Sequence, residues 1–341
     1  MKLLGIETSC DETAVAVVED GRAIHSNIVA SQADLHATFG GIVPEVASRQ
    51  HLLTIVPVVR RALNDAGVEL ADLQGIAVTN GPGLAGALLI GVNAAKGLAL
   101  AAKLPLIGIN HLEGHVYAAW LEGQDPEVAP GFPLICLIAS GGHTDLTLMR
   151  GHGDYELMGR TRDDAAGEAF DKAARVLGLG FPGGPAIQHV AANGRGEEPP
   201  FPRPKIKDSL DFSFSGLKTA VLRRAEKRGW YPPSEDAEVD DADVGRVAAA
   251  FQEAVVDSLV TRVLESVSRF DVKGVLLGGG VAANDLLRKE LAGRSPVQVI
   301  VPSPGLCTDN GAMIGAAGWF HLRNGVRHEW DLDVVPQMKL G

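Results

Sequence analysis

Lys2-Leu-Leu-Gly-Ile-Glu-Thr-Ser-Cys-Asp-Glu-Thr-Ala-Val-Ala-Val-Val18 is the stretch that decides the fold. Lys2 to Ile6 reads as a strand, Glu7 to Thr13 as a polar turn, and Ala14 to Val18 as a returning strand. The chain therefore opens on a β-hairpin with hydroxyls and acids at its tip. The same layout returns later: a buried strand from Pro133 to Ala139, the turn Ser140-Gly-Gly-His-Thr144, and a strand from Leu146 to Met149. Few letters are shared between the two, but two halves that each open this way signal an internal duplication. Such a tip can wrap a phosphate with backbone N–H groups and hydroxyls, and Gly141 and Gly142 let donors approach closely. Asp11 and Glu12 at the first tip could hold a cation or polarise a nucleophile; an ordinary polar turn is the plain alternative.

Between the hairpins, Gly75 to Thr79 is a strand, Asn80-Gly-Pro-Gly83 a turn, Leu84 to Ala101 a small-residue helix and Leu104 to Ile109 a strand. This order predicts a sheet layered with helices. Ser31 to His51 reads as a glycine-interrupted excursion before a helix from Leu52 to Asp65 that stops at Gly67. Gln124 to Pro130, with two prolines and two acids, marks a boundary between residues 1–126 and 127–341. A chain of 341 residues suits two such halves.

After the strand at Ile109 comes His111-Leu-Glu-Gly-His115. Histidines four apart lie on one helix face and can offer two imidazoles to one metal ion. Glu113 falls about 200° around the helix from His111, so it cannot act as the base of a His-Glu-x-x-His zinc protease. A third ligand must come from elsewhere, and the candidate is Asp309 in Cys307-Thr-Asp-Asn-Gly-Ala312, at the entrance to the last helix. A helix cap is the plain alternative for that Asp.

The second half adds further polar segments. Glu168 and Asp171 share a face of a helix running to Leu177 and could accept from ribose hydroxyls. Phe181-Pro-Gly-Gly-Pro185 enters another helix, and Asp211-Phe-Ser-Phe-Ser-Gly-Leu-Lys218 precedes a third. Val244 to Phe270 is a long amphipathic helix. Gly278-Gly-Gly-Val-Ala-Ala-Asn284 lies between a strand and a helix, where a nucleotide can rest against the main chain.

Charge argues in two directions. The net charge of −11 speaks against a nucleic-acid partner. Six acids fall in Tyr231 to Asp243, however, while Arg195 to Arg228 holds nine bases against five acids. A positive patch can exist on such a chain. Cys10, Cys136 and Cys307 form no paired framework, which fits a reducing cytoplasm. Cys10 and Cys307 lie inside polar motifs and are expected near the site, with a buried thiol as the default. No basic and apolar leader is expected, and charges and glycines are expected to interrupt every apolar run before membrane-span length.

Taken together, Glu7-Thr-Ser-Cys-Asp-Glu-Thr13, Gly40-Gly-Ile-Val-Pro-Glu-Val-Ala-Ser-Arg49, Asn80-Gly-Pro-Gly83, the histidine motif, Ser140-Gly-Gly-His-Thr144, Asp164-Ala-Ala-Gly-Glu-Ala-Phe-Asp-Lys172, Phe212-Ser-Phe-Ser-Gly-Leu-Lys218, the glycine turn at Gly278 and Cys307-Thr-Asp-Asn-Gly-Ala312 resemble the bacterial TsaD family. These are the tRNA N6-adenosine threonylcarbamoyltransferases. The resemblance runs along essentially the whole chain; it departs in Ala282-Ala283, where a Ser is frequent, and in the acidic stretch.

It implies an α/β fold of the actin/Hsp70/sugar-kinase type, duplicated, with two lobes around a nucleotide cleft. It implies transfer of a threonylcarbamoyl group from threonylcarbamoyl-adenylate to N6 of the adenosine 3′ of the anticodon, position 37, in tRNAs reading codons that begin with A. Carried over by motif, His111, His115 and Asp309 bind one divalent metal per subunit, Fe(II) first and Zn(II) second. Ala139, Ser140, Gly141, Gly142, His143, Asp171, Gly184 and Asn284 contact the adenylate, and Asp11 and Glu12 lie at the reacting centre. The implied partners are tRNA, a TsaB-like paralogue joined through the N-terminal lobe, and a TsaE-like ATPase, in the cytoplasm and away from membrane. The rival readings are an ATPase or small-molecule kinase of the same fold and a non-enzymatic scaffold.

Overall fold

The computed structural model of the chain describes residues 1–122, 130–194, 196–203, 205–232 and 240–341. It forms two compact units. The first comprises Met1–Gly131, Gly151–Tyr155 and Pro302–Gly341, and the second Phe132–Arg150 and Glu156–Val301. Most of the expected boundary at Gln124–Pro130, and the centre of the acidic stretch at 231–243, lie outside the described residues. The segment Pro302–Gly341 belongs with the first unit, whereas a single division at 126/127 assigns it to the second.

The first unit is built on a five-stranded sheet ordered β3-β2-β1-β4-β5. Its strands are β1 (Lys2–Glu7), β2 (Glu12–Glu19), β3 (Ala23–Ser31), β4 (Gly75–Gly81) and β5 (Leu106–Asn110). The opening hairpin is in place, with β1 and β2 antiparallel and Leu3 opposite Val18. β4 and β5 run parallel to β1. β4 is buried throughout, as suits a strand covered on both faces. The half-exposed strand β3 was not expected from the sequence. Its polar Ser26 and Asn27 interrupt the apolar pattern by which a strand is read.

The helices of this unit are α1 (Ala33–Ala37), α2 (Pro44–Ala66), α3 (Ala85–Ala102) and α4 (His111–Tyr117), with α10 (Pro304–Cys307) and α11 (Gly311–Arg323) near the chain end. α2 starts at Pro44, not at Leu52. Pro44 sits at the first helical turn, where its missing N–H costs nothing, and the helix carries a second proline, Pro57, in its interior. It ends at Gly67, whose φ of 64° supplies the left-handed cap. α3 is long and apolar enough, by length and composition, to cross a membrane, contrary to expectation. It packs on β4 and α2, and its Ala87, Leu88, Gly91, Val92, Ala95 and Ala99 are buried there.

α11 is seated unusually close to the sheet. A Cβ on Gly5 of β1 would stand 2.1 Å from the Gly311 carbonyl oxygen and 2.4 Å from the Gly315 nitrogen. A Cβ on Gly311 would stand 2.5 Å from the Ala16 nitrogen. Gly5 and Gly311 therefore let backbone meet backbone, while Gly315 and Gly318 of the same helix make room for the Val18 and Ala77 side chains. The terminal segment continues across the ends of β4 and β5, where Val335 N–H donates to the Asn80 carbonyl at 2.7 Å and Asn110 Nδ2 to the Lys339 carbonyl at 3.0 Å.

The second unit repeats the plan. Its sheet has the order β10-β9-β6-β7-β8, from β6 (Leu134–Ala139), β7 (Thr144–Gly151), β8 (Asp154–Arg160), β9 (Gly274–Gly278) and β10 (Gln298–Ile300). β6 and β7 form the second hairpin, antiparallel, and β9 and β10 extend it in parallel as β4 and β5 extend the first. The duplication is thus present in both sheets. Its helices are α5 (Ala166–Val176), α6 (Gly183–Ala191), α7 (Ser215–Lys227), α8 (Asp241–Arg269) and α9 (Asp285–Arg294).

Candidate metal centre and substrate loop

Helix α4 begins where β5 ends. Asn110 caps it, its side-chain oxygen accepting from Leu112 N–H at 2.9 Å. That cap fixes the first turn, and so the face carrying His111 and His115. Their rings stand 4.7 Å apart, nearly perpendicular. Asp309 Oδ1 lies 3.2 Å from His115 Nε2 and 3.6 Å from His111 Nε2. Ligand atoms each about 2.1 Å from one ion stand roughly 3.0–3.4 Å apart, so the spacing suits a shared cation. Asp309 does not cap α11. Asn310 does so, accepting from Met313 N–H at 2.9 Å.

The chemistry of the three groups fits a metal. Both imidazoles are buried, and Asp309 is 19% exposed. Neither ring nitrogen of the fully buried His115 has a hydrogen-bond partner among the described residues. A buried polar atom left this way is costly unless an ion or ligand meets it.

Glu7, which the sequence did not single out, completes the arrangement. It ends β1, fully buried, with Oε2 3.0 Å from His111 Nδ1. Thr79 donates to the same oxygen, and Ser9 N–H to the other. A carboxylate behind a ligating histidine holds its far N–H and leaves Nε2 free for the metal. Burial raises the Glu7 pKa, but the His111 charge and hydrogen bonds outweigh it and hold the carboxyl below its usual value. Burial likewise opposes the His111 imidazolium, yet Asp309 and Glu7 push its pKa up to about 9.

The hairpin tip adjoins this centre. Ser9 Oγ is 3.1 Å from His111 Nδ1, and the Ser9 carbonyl accepts from Leu84 N–H at 2.8 Å. His51 of α2 was also missed in the sequence. Its Nε2 donates to the Cys10 carbonyl at 2.9 Å, so Nδ1 accepts from Thr13 Oγ1 at 2.8 Å. One buried ring thereby ties both sides of the tip. Glu12 is pushed up to about 9 by burial, then by the charges of Asp309 and Asp11, so it holds its proton at neutral pH. Cys10 is half-buried, and its thiol is raised by burial and by Asp11, Asp309 and Glu12. Cys307 is buried against the Ser303 carbonyl.

Glu113 is bound away from the histidine pair, as the helical spacing requires. It accepts from His321 at 2.7 Å and from Tyr155 at 3.1 Å. Burial lowers the His321 pKa, but the Glu113 hydrogen bond and charge raise it overall. The pair therefore stabilises the fold fully below the unfolded value of about 6.5, and that contribution is lost as pH rises through the raised folded value. The Tm difference between wild type and His321→Gln is expected to be larger at pH 6 than at pH 9. Equal differences in thermal melts at the two pH values would exclude this.

In the second unit, Ala139, the Ser140–His143 loop and the glycine turn at Gly278 lie at the C-terminal ends of β6 and β9, which run side by side. Ser140 N–H donates to the His143 carbonyl at 2.8 Å, closing the Ser140–His143 loop. A Cβ on Gly279 would lie 2.4 Å from the Ala139 oxygen, and one on Gly167 2.6 Å from the Ser140 oxygen, so the glycine turn and α5 both press against this loop. Gly141, Gly142 and Gly184 instead face open space. Asp171 accepts from Gly183 N–H at 2.7 Å, fixing the start of α6. Asn284 caps α9 and donates to Gln252 at 2.8 Å. Glu168 forms an ion pair with Lys172 at 2.9 Å. Open strand ends with helix N-termini around them are where α/β sheets take ligands.

Comparison with known proteins agrees with this picture. The family model described as TsaD, tRNA N6-adenosine threonylcarbamoyltransferase, matches residues 23–316. Proteins of that name from Dehalococcoides mccartyi (strain CBDB1) and Thermomicrobium roseum are each 55% identical, over 100% of this chain and 99% and 97% of theirs. One from Symbiobacterium thermophilum is 53% identical over 99% of this chain and 97% of its own. Among solved structures, T. kodakarensis HypF matches with a TM-score of 0.61 at 15% identity, covering 95% of this chain and 48% of that one. Component A of the Acidaminococcus fermentans (R)-2-hydroxyglutaryl-CoA dehydratase matches at 0.55 and 15%, over 95% and 98%. The fold is the duplicated actin/Hsp70/sugar-kinase-like one.

Proposed function

This chain belongs to the TsaD family of tRNA N6-adenosine threonylcarbamoyltransferases, and from that premise we propose how its residues carry out the transfer. The enzyme is an acyltransferase that forms N6-threonylcarbamoyladenosine in tRNA. We take the donor to be threonylcarbamoyl-adenylate and the acceptor to be the adenosine 3′ of the anticodon, position 37, in tRNAs reading codons that begin with A. The N6 amine attacks the carbamoyl carbon, a C–N bond forms, the bond to the adenylate phosphate oxygen breaks, and AMP leaves with the electron pair. The amine must lose a proton as it does so.

His111, His115 and Asp309 would hold a divalent ion, Fe(II) first and Zn(II) second, since a two-histidine, one-carboxylate set with open positions suits iron. When bound, the ion supplies Lewis-acid charge and a fixed seat for the threonylcarbamoyl oxygens. Glu7 orients His111, and His51 orients the tip that carries Asp11 and Glu12. Asp11 is the general base, with Glu12 beside it in its protonated, donating form. Ala139 and the Ser140–His143 loop cradle the phosphate, the open faces of Gly141 and Gly142 leaving room for it. Asp171, Gly184 and Asn284 line the adenosine side.

The observation that supports this most is the meeting of a histidine pair with a carboxylate from a distant part of the sequence, neither ring nitrogen of His115 making a hydrogen bond among the described residues. A kinase of the same fold would need oxygen ligands for Mg²⁺ and has no use for two imidazoles. The test is to supply tRNA and threonylcarbamoyl-adenylate, with and without chelator, and look for the modified nucleoside. Asp11→Ala is expected to cut kcat by about 10²- to 10⁴-fold while adenylate and tRNA still bind. A near wild-type rate would remove Asp11 from the role of base.

A TsaB-like paralogue and a TsaE-like ATPase are the proposed partners, in the cytoplasm. α2 supports the first, since Leu52, Leu53 and Val56 stand 63%, 70% and 53% exposed along it.

A further inference from the structure

The second unit carries a run of cations that the transfer chemistry leaves unused. Two depressions of about 400 Å³ lie here, one lined by Pro202 and the other by residues 205–209. At the first, Pro202 faces Thr219, Arg223, Arg224 and Lys227 of α7, and no acidic residue lines it among the described residues. At the second, Lys205 and Lys207 face Arg262 and Arg269 of α8, against Asp208 and Glu265.

Ion pairing is uneven along this run. Buried Glu198 accepts from Arg224 at 3.0 Å and from Arg228 at 2.7 Å, and Arg224 stacks on Phe201 with its guanidinium carbon 3.7 Å from the ring centre. Glu265 takes Lys205 and Arg262. Arg223, Lys227, Lys207 and Arg269 are left with no ion pair among the described residues, and all four are exposed. Arg223 and Lys227 are four apart on one helix face, a like-charge pair that weakens the helix unless an anion lies over it. The rest of the molecule is strongly acidic, at −11 overall. A single phosphate would need one depression; two on the same unit suit a chain of phosphates.

We propose that this strip seats the RNA backbone, holding the tRNA by its phosphates and reading no base. The proposal rests on the transfer reading, which supplies the polyanion. It is tested on the full chain with unmodified tRNA, by fluorescence anisotropy over a range of salt. Arg223→Glu with Lys227→Glu, and separately Lys207→Glu with Arg269→Glu, are each expected to lower the slope of log affinity against log salt by about 1.5, since each phosphate contact contributes roughly 0.7–0.9. Affinity at physiological salt should fall at least tenfold, and KM for tRNA should rise by a similar factor. Metal content, adenylate binding and kcat should stay as in wild type. Arg223→Gln with Lys227→Gln should show a smaller loss with the fold undisturbed. Arg60→Glu with Arg61→Glu, on α2, is the control and should change the slope little. Wild-type slopes in both strip variants, or an equal loss in the control, would overturn the proposal. If the wild-type protein bound tRNA through the strip yet formed no modified nucleoside, the transfer reading would fail and the strip would stand.

Discussion

Asp309→Ala is expected to strip the protein of its metal, from about one equivalent to less than a tenth, and to cut transfer at least about 10³-fold. The carboxylate is the only one of the three ligands that does not come from α4, and it approaches both imidazole Nε2 atoms. Without it, two histidines one turn apart remain, and two ligands do not complete a site. The loss should also appear in stability. A metal present at a thousand times its dissociation constant stabilises a folded protein by about 4 kcal/mol. The rise in Tm on adding metal, clear in wild type, should therefore vanish in the variant. Elemental analysis of the purified variant and melts with and without metal check both halves. A variant that keeps its metal would place the centre elsewhere.

Gly5→Ala is expected to damage fold and centre together, although residue 5 touches no ligand. Its added methyl would lie 2.1 Å from a carbonyl oxygen and 2.4 Å from an amide nitrogen of α11, and neither is the movable end of a side chain. Either β1 or α11 must shift. Overpacking of this kind costs about 1–3 kcal/mol and sometimes more, and contact with rigid backbone puts this site at the upper end. Asp309 lies two residues before α11, so a displaced helix carries the ligand away from the histidines. Tm should fall by several degrees, and metal content should fall with it. Gly97→Ala in α3 is the contrast, because its methyl would meet nothing within 4 Å. It should leave metal binding intact and raise stability by up to about 1 kcal/mol. Equal behaviour of the two alanines in melts and metal analysis would disprove the steric account.

The parts of this molecule that were legible in the sequence are those written in local spacing. The two hairpins announce themselves by apolar runs around polar tips, and His111 and His115 by a helical interval. Asp309 could be suspected because it stands at a helix entrance, and a neighbouring Asn310 proves to do the capping that would have explained it away. What escaped is long-range or weakly patterned. Glu7 and His51 matter through partners over a hundred and some forty residues away, and nothing in the letters around them marks those pairings. β3 alternates poorly because it is half exposed, and the first two turns of α2 hide behind a proline that reads as a break. The basic segment was visible as a count, but not which of its charges acids would silence.

The first unit is made from both ends of the chain, with the residues of the second lying between. On the ribosome, α4 emerges long before Asp309 is synthesised. Until the final helix is released and settles on its glycine seat, the two imidazoles have no carboxylate to share an ion with. Any ion shared by these three side chains could therefore settle only after Asp309 has been made, and a product terminated before that residue would lack the carboxylate, however well its opening hairpin had formed.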